Sequence, residues 1–145
     1  MATATRSDPF RNCNFRVEID GLTVGAFREV SGLSADGNAV EYRDGTDVAR
    51  SVRKLVGLQS YSNITLKRGY TLNHELWEWY KNIVNGTPDR RNGTIVLMDE
   101  ERHDVMRWDV ENMWIKKIEG PSFNATANEV AMESVEIVHE GLTLV

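Results

Sequence analysis

Short segments in which apolar and polar residues alternate are the feature that most restricts the fold of this sequence. The alternation runs from Asn12 to Ile19 and returns at 38–43, 62–68 and 106–111. A period of two is typical of strands that bury one face and expose the other. The unbroken apolar run Ile95–Met98 indicates one further strand, buried on both faces.

The first strand is followed by a turn signal. Asp20-Gly21 suits a two-residue type I′ hairpin turn, because both central positions of that turn need a positive φ. The pattern predicts that Leu22–Val24 returns beside the first strand.

The last segment of the chain combines two signals. Glutamates between Glu129 and Glu140 are spaced as an acidic helical stripe, while β-branched residues among them favour a strand. Like charges four residues apart destabilise a helix. We therefore predict a strand, with an irregularity near Ser134.

One segment has the period of a helix. Between Asn73 and Val84 the apolar residues recur at helical spacing, which predicts an amphipathic helix with its apolar stripe on the core. Asn73 is suited to cap the N-terminus, and Asn85-Gly86 followed by Pro88 ends the helix.

Seven or eight short strands and one helix fit one domain of 145 residues. We predict a fold that is mainly β with one α-helix, either a β-barrel or two packed antiparallel sheets, flanked by the helix. The domain covers residues 1–145, and the polar stretch 1–8 is expected to be a flexible N-terminus.

Residues 44–58 interrupt the strand pattern. This stretch is too polar and irregular for a core element, and connections of such length inside compact domains are usually functional or disordered. We predict a projecting arm loop, which is either a partner-binding element or a solvated flexible loop.

No motif of catalysis or cofactor binding is present in the sequence. It has no glycine-rich phosphate-binding pattern and no nucleophile elbow. The one cysteine, Cys13, lies on the apolar phase of the first strand, where a thiol packs as a small hydrophobic group. We therefore predict no catalytic residue, no metal and no cofactor.

The charge and hydropathy of the chain argue against nucleic acid and membranes as partners. The formal net charge is −5 and the basic residues are scattered, whereas nucleic-acid-binding domains carry a basic patch. No apolar run approaches the ~18 residues of a spanning helix. No signal peptide is recognisable, so we expect synthesis in the cytoplasm and no insertion into a membrane.

Two other functions fit the sequence less well. A small-ligand-binding β-barrel would place Trp108, Trp114 and Phe123 around a cavity. An enzyme would use the charged loop Asp99–Asp104, in which carboxylates and His103 could hold a metal ion. A charged hairpin tip is the commoner role of such a loop.

Short segments spread over nearly the whole chain carry a family resemblance. They are, in order, Asp8–Gly21, Phe27–Leu33, Val40–Arg43, Arg53–Leu55, Gly57–Leu58, Asn63–Gly69, Arg90–Leu97, Glu119–Pro121, Asn124–Ala125, Asn128–Ala131 and His139–Leu142. Together they resemble the tail tube proteins of contractile phages and of phage-like extracellular contractile injection systems.

This resemblance implies a helix-flanked β-barrel that assembles into six-membered rings, which stack into a hollow tube inside a contractile sheath. The role would be structural, because contraction of the sheath drives the rigid tube through a target envelope. The implied partners are further copies of the chain, the sheath protein, and baseplate and tube-cap proteins. A cargo effector or DNA would occupy the lumen, in a particle assembled in the bacterial cytoplasm that can be released.

We assign three surfaces to this implied role. The arm would bind the adjacent ring through apolar and basic side chains, namely Arg50, Val52, Arg53, Lys54, Leu55, Val56 and Leu58. Polar strand faces would line the lumen with Asn14, Arg16, Glu18, Glu133 and Glu136. The helix would lie outside and face the sheath with Glu75, Glu78 and Lys81.

Overall fold

The computed structural model describes residues 14–22, 27–46, 51–69, 74–126 and 130–145. In this part the chain forms nine strands and one helix. In chain order they are β1 (Phe15–Ile19), β2 (Phe27–Ser31), β3 (Ala35–Tyr42), β4 (Arg53–Tyr61), β5 (Ile64–Gly69), α1 (Glu75–Val84), β6 (Arg91–Met98), β7 (Asp104–Glu119), β8 (Met132–Val138) and β9 (Gly141–Leu144).

Seven of the strands form one antiparallel sheet. Its order is β1-β6-β7-β8-β5-β2, and β9 pairs with β7. β3 and β4 form a separate two-stranded antiparallel ribbon. The fold is therefore mainly β with one helix, as the sequence predicts.

The large sheet does not close into a barrel within the described residues. β1 pairs with β6 and β2 pairs with β5, so each end strand of the sheet keeps an open edge in this part of the chain. Of the two predicted arrangements, the closed barrel is thus not confirmed by the described residues. The sequence did not distinguish them, because a strand that buries one face shows the same alternation in an open and in a closed sheet.

A bend in β7 divides the large sheet into two halves. The residues before the bend pair with β6 and β9, Met113 just after it pairs with Arg91 of β6, and those from Trp114 onward pair with β8. At the bend β7 has one residue more than β6, and Asn112 adopts φ 53°, a conformation that asparagine tolerates better than most residues. The Asn112 backbone N–H donates to Asn92 Oδ1 over 3.0 Å. This bond fixes the bend.

The core lies where the inner faces of both sheet halves meet α1. The helix contributes Leu76 and Trp79, its two buried residues. Burying a side chain of this size contributes about 1.5–3 kcal/mol. The strands contribute the remaining buried members of the cluster, which are Val17, Ile19, Ile64, Leu66, Ile95, Val110, Met113, Ile115, Val135 and Ile137.

Arg91 and Asp89 fasten the C-terminal side of α1 to the start of β6. Trp79 is fully buried and its indole N–H donates to the Asp89 carbonyl over 2.8 Å. The Arg91 guanidinium lies 5.0 Å from the centre of the Trp79 ring and donates to both Asp89 carboxylate oxygens over 3.1 and 2.9 Å. These hydrogen bonds from Arg91 lower the pKa of Asp89, because they favour its charged form.

The start of α1 differs slightly from the prediction. The helix begins at Glu75, with His74 at the N-cap position and no side-chain capping bond. Asn73, the predicted cap, lies outside the described residues, as do residues 1–8.

Two other local predictions are corrected by the pairing of the strands. A turn forms at Asp20-Gly21, closed by a 3.0 Å hydrogen bond from the Leu22 N–H to the Ile19 carbonyl, with Gly21 at φ 76°. Asp20 lacks the positive φ of a type I′ turn, so the predicted turn type is wrong, and β1 pairs with β6. Residues 23 and 24 of the predicted returning strand lie outside the described part of the chain. β8 is regular along β5. The irregularity in its pairing with β7 lies on β7, between Ile115 and Lys117 and opposite Ile137 and Glu136, and not at Ser134 as predicted.

Candidate assembly surfaces

The predicted arm is in large part a β-hairpin. β4 begins at Arg53, so the second half of the predicted loop 44–58 is strand, paired along its length with β3. The loop prediction is wrong there because a bulge moves the alternation of β4 out of phase. Arg50, one of the predicted contact residues, lies outside the described residues.

The bulge in β4 places Gly57 and Leu58 opposite Asn38. A Cβ atom at position 57 would lie 2.7 Å from the Asn38 carbonyl oxygen and 3.1 Å from Val40 Cγ2. Glycine is therefore the residue that fits. The sequence carried a signal for this bulge, because a glycine inside a strand pattern commonly marks one.

One face of the hairpin carries several exposed apolar side chains. Val40 and Leu55 are direct cross-strand neighbours, and Tyr42 follows Val40 on the same face because side chains alternate along a strand. Leu58 joins this face at the bulge, opposite Asn38. We call Val40, Tyr42, Leu55 and Leu58 the apolar hairpin face.

The opposite face of the hairpin is mixed. Glu41 and Lys54 are cross-strand neighbours whose charged groups approach to 3.9 Å. Val56 lies two residues from Lys54 on this face and is 88% exposed. The two faces therefore provide a matched comparison within one element.

Nothing in the described part of the chain covers the hairpin. Of the eleven exposed large apolar side chains there, six lie on it, namely Val40, Tyr42, Val52, Leu55, Val56 and Leu58. Clustered exposed apolar side chains mark interaction sites. The hairpin therefore has the character of an interaction surface.

A groove of about 540 Å³ lies between the open ends of the large sheet. The exposed residues Arg28 and Glu29 of β2 form its charged rim. Sequence reasoning missed this groove because its walls come from separate segments of the chain. The apolar lining includes Phe15, Val30, Leu33, Leu97 and Trp108.

Arg16 connects β1 to β7 on the polar face of the sheet. Its guanidinium donates to both Asp104 carboxylate oxygens over 3.2 and 3.0 Å, and its Nε donates to Glu18 over 2.7 Å. The hydrogen bonds to Asp104 are the main reason that the pKa of Arg16 is raised. Asn14 donates to the Asp99 carbonyl over 3.3 Å. Asn14, Arg16 and Glu18 share one face, as their alternation predicts.

Glu133 and Glu136 lie on opposite faces of β8. Glu133 is 1% exposed and faces the core, where one of its carboxylate oxygens lies 3.5 Å from Arg68 Nη2. The prediction that it lines a lumen is wrong, because a buried side chain is not available to a channel. Glu136 accepts a hydrogen bond from Asn63 Nδ2 over 2.8 Å on the other face, and it stays a lumen prediction.

The outer side of α1 is less polar than the sequence suggests. Glu78 and Lys81 are exposed, as expected, whereas Glu75 is half-buried. Trp77 and Val84 line a shallow depression together with Glu78 and Lys81. A partner on this side would therefore meet apolar surface as well as charges.

The comparisons with known proteins agree with this geometry. The family model described as T4-like virus tail tube protein gp19 matches residues 11–143. The chain belongs to this family. No curated protein sequence matches the chain.

Several solved structures contain chains similar to this one. One, in the sheath-tube complex of PVC, an extracellular contractile injection system in its extended state, is 27% identical over 94% of this chain and 91% of its own, with TM-score 0.84. Another, in the tube-terminating cap of the anti-feeding prophage (AFP), is 26% identical over 99% and 95%, with TM-score 0.84. Hcp1 from Flavobacterium johnsoniae is 12% identical over 90% and 94%, with TM-score 0.57, and shares the fold.

The segment Arg90–Leu97, part of the resemblance to tail tube proteins, acts in folding. Arg91 packs on α1, and Asn92 binds the bend of β7. A Cβ atom at Gly93 would lie 2.5 Å from Met113 Cε and 2.6 Å from a backbone oxygen of β1, so glycine is required there.

The geometry gives little support to the ligand-binding and enzymatic alternatives. Trp108 lines the groove whereas Phe123 is 86% exposed, so the three aromatic residues of the ligand-barrel hypothesis do not share one cavity. His103 closes a tight turn with Asp99, donating its backbone N–H to Asp99 Oδ1 over 2.8 Å. In the described residues no group of three His, Cys, Asp or Glu side chains could hold a metal ion. None of the described helices is long and apolar enough to cross a membrane.

Proposed function

We propose that this chain is the repeating subunit of the inner tube of a contractile particle, either a phage tail or a phage-tail-like injection system. The observation that carries the proposal is the match of the tail tube family to residues 11–143. Chains 26–27% identical to this one occur in a sheath-tube complex, a tube-terminating cap and a sheath/tube terminator. We therefore expect the sheath, a baseplate and a tube cap as partners, and a structural role without catalysis.

In this proposal six copies form a ring, and rings stack into a hollow tube that carries cargo effector or DNA. The open edges of β1 and β2 support ring formation, because an unpaired strand edge is a template for pairing with a neighbouring copy. The uncovered hairpin supports stacking, because it extends apolar surface away from the core of its own chain.

Electron microscopy of the purified protein tests the assembly. We expect six-fold rings or hollow stacked tubes, alone or with the baseplate proteins as a nucleus. Monomers that persist at high concentration in the presence of a baseplate would contradict the proposal and favour a small-ligand-binding barrel, which has no need of a ring.

The hairpin is proposed as the stacking arm, with Val52, Arg53 and Lys54 contributing beside its apolar face. Leu55→Asp combined with Leu58→Asp should leave rings but abolish long tubes. Val84→Asp, at an exposed apolar position on α1, is the matched control and should leave tube length unchanged. Normal tubes from the hairpin variant would exclude this role.

The lumen is proposed to be lined by the polar face that carries Asn14, Arg16 and Glu18, together with Glu136. Glu136→Lys should alter cargo loading while rings and tubes still form. Loss of assembly in this variant would place Glu136 in an interface between copies.

The outer side of α1 is proposed to face the sheath. Exchanging the charges with Glu78→Lys and Lys81→Glu should impair sheath assembly around preformed tubes, with Glu75 contributing less because it is half-buried. Sheath that assembles normally around such tubes would count against this orientation.

A further inference from the structure

We propose that the groove between β1 and β2 receives the apolar hairpin face of a second copy of this chain, located in the adjacent ring. The inference rests on the proposed tube function, because it requires stacked copies. It identifies the surface onto which the hairpin docks.

The two surfaces match in chemistry. The groove is lined by apolar side chains that include Phe15, Val30 and Trp108, and its volume is about 540 Å³. The hairpin presents Leu55 and Leu58, which are 50% and 82% exposed on their own chain. Bringing the two together removes apolar area from water at both sites.

Polar groups border both surfaces as well. The groove has Arg28 and Glu29 at its rim, and the hairpin carries Arg53 beside Leu55 on the apolar side and the Glu41–Lys54 pair on the opposite side. An apolar centre with a charged rim of both signs is the usual anatomy of a specific interface.

The backbone of the hairpin and of the groove supports the same arrangement. An isolated two-stranded hairpin is at best marginally stable in water, so this element needs a surface to lie on. In the described residues β3 pairs with β4, while β1 and β2 at the groove each have one partner strand. Docking through the side chains of the apolar hairpin face leaves these open edges to the neighbouring copies within the ring.

A second copy is the occupant that the fold favours. The hairpin and the groove are both present in every subunit, and the short connection Gly32–Ser34 joins β2 at the groove to β3 of the hairpin. A head-to-tail contact between unlike surfaces of identical chains propagates from copy to copy. Stacked rings need such a propagating contact.

Thiol crosslinking tests the contact in assembled tubes. In a Cys13→Ser background, Val30→Cys and Leu58→Cys place one thiol in the groove and one on the apolar hairpin face. A short bis-maleimide linker should then produce a ladder of covalent oligomers that extends beyond six copies. Val30→Cys with Val56→Cys, on the opposite hairpin face, is the matched control and should remain monomeric on a denaturing gel.

Each outcome separates the contact from the tube function itself. Tubes that assemble without the Leu58 ladder would overturn the proposed contact and leave the tube function standing. A ladder from the Val56 pair would overturn it too, as would one that stops at six copies, which would place the contact within a ring. The thiol of Val30→Cys could instead resist maleimide labelling in single rings and react once residues 1–13 are deleted. That result would show that the N-terminal segment occupies the groove.

A second test does not depend on crosslinking and introduces one charge into each surface. Leu33→Glu in the groove and Leu58→Lys on the hairpin should each abolish tubes, and the combined variant should restore them. Circular dichroism of each single variant confirms that it folds. Failure of the combined variant to restore tubes when both singles fold would contradict the docking.

Discussion

The body of this protein, which is the large sheet with α1, and its hairpin are built from the same kind of strand, yet only the body buries its apolar residues within the described part of the chain. In the body, β5 and β8 alternate strictly between buried and half-buried residues, and α1 adds Trp79 to the same core. In the hairpin, all of β3 and almost all of β4 are exposed. The difference shows that an alternating pattern fixes which residues share a face, while the presence of a partner for that face depends on the rest of the structure.

The largest difference between the two regions should appear when an apolar side chain is removed from each. Trp79→Ala should lower the free energy of unfolding of the isolated subunit by about 3–5 kcal/mol, because it empties the centre of the core. Leu58→Ala should change it by less than about 0.5 kcal/mol, because this side chain contacts solvent in the free chain. Urea denaturation of unassembled subunits measures both. Equal losses would mean that the hairpin is part of the folding unit.

The two glutamates of β8 sharpen the comparison between buried and open faces. Glu133→Ala should lower the free energy of unfolding by about 3 kcal/mol, because it removes one partner of a buried ion pair. Glu136→Ala, on the other face of the same strand, should lower it by no more than about 1 kcal/mol. Thermal unfolding followed by circular dichroism checks the order, and a reversal would place Glu136 in the core.

Two glycines extend the comparison to the backbone. Gly93→Ala in the body should lower the free energy of unfolding by about 1–3 kcal/mol, since its Cβ would press on Met113 and β1. Gly57→Ala in the hairpin should shorten tubes with little effect on the isolated subunit, because it disturbs the bulge that positions Leu58. Gly45→Ala is the control, with no atom within 4 Å of its new Cβ. A stable Gly93→Ala variant would contradict the packing at the bend.

The smallest effect concerns the pH dependence of the body. Since Arg91 lowers the pKa of Asp89, the carboxylate stabilises the fold above the ordinary aspartate value of about 3.9. This stabilisation is lost as the pH falls through the lower folded-state value. Asp89→Asn should cost about 1–2 kcal/mol at pH 7, and its difference from the parent protein should shrink toward pH 2. Denaturation curves at both pH values measure this, and a constant difference would rule out the carboxylate as the cause.

The burial of Glu133 was predictable from the alternation of residues in β8, although the sequence analysis assigned it to a polar face. It is separated by two residues from Val135 and by four from Ile137, so alternation places it on their buried face. Grouping it with Glu136 as one acidic series assigned both to a polar face. The position of a residue in the alternation predicts its face more reliably than its residue type does, because a shift of one residue moves a side chain to the other side of the sheet.

The hairpin shows a different limit of prediction from the sequence. The sequence indicated a partner-binding element at 44–58, but the bulge at Gly57 concealed the strand inside it. The groove that we propose as its docking site was not visible at all. Phe15, Val30 and Trp108 are far apart in the chain, and their common location follows from the order of strands in the sheet.

The sequence by itself determined the local elements of this protein and its membership of the tail tube family, because strand and helix periods and family motifs are properties of neighbouring residues. Only the tertiary structure decided that, in the described residues, the sheet stays open between β1 and β2 and the hairpin projects uncovered, and that Glu133 pairs with Arg68. These features depend on contacts between residues distant in the chain, and such contacts form only when the strands take their order and register.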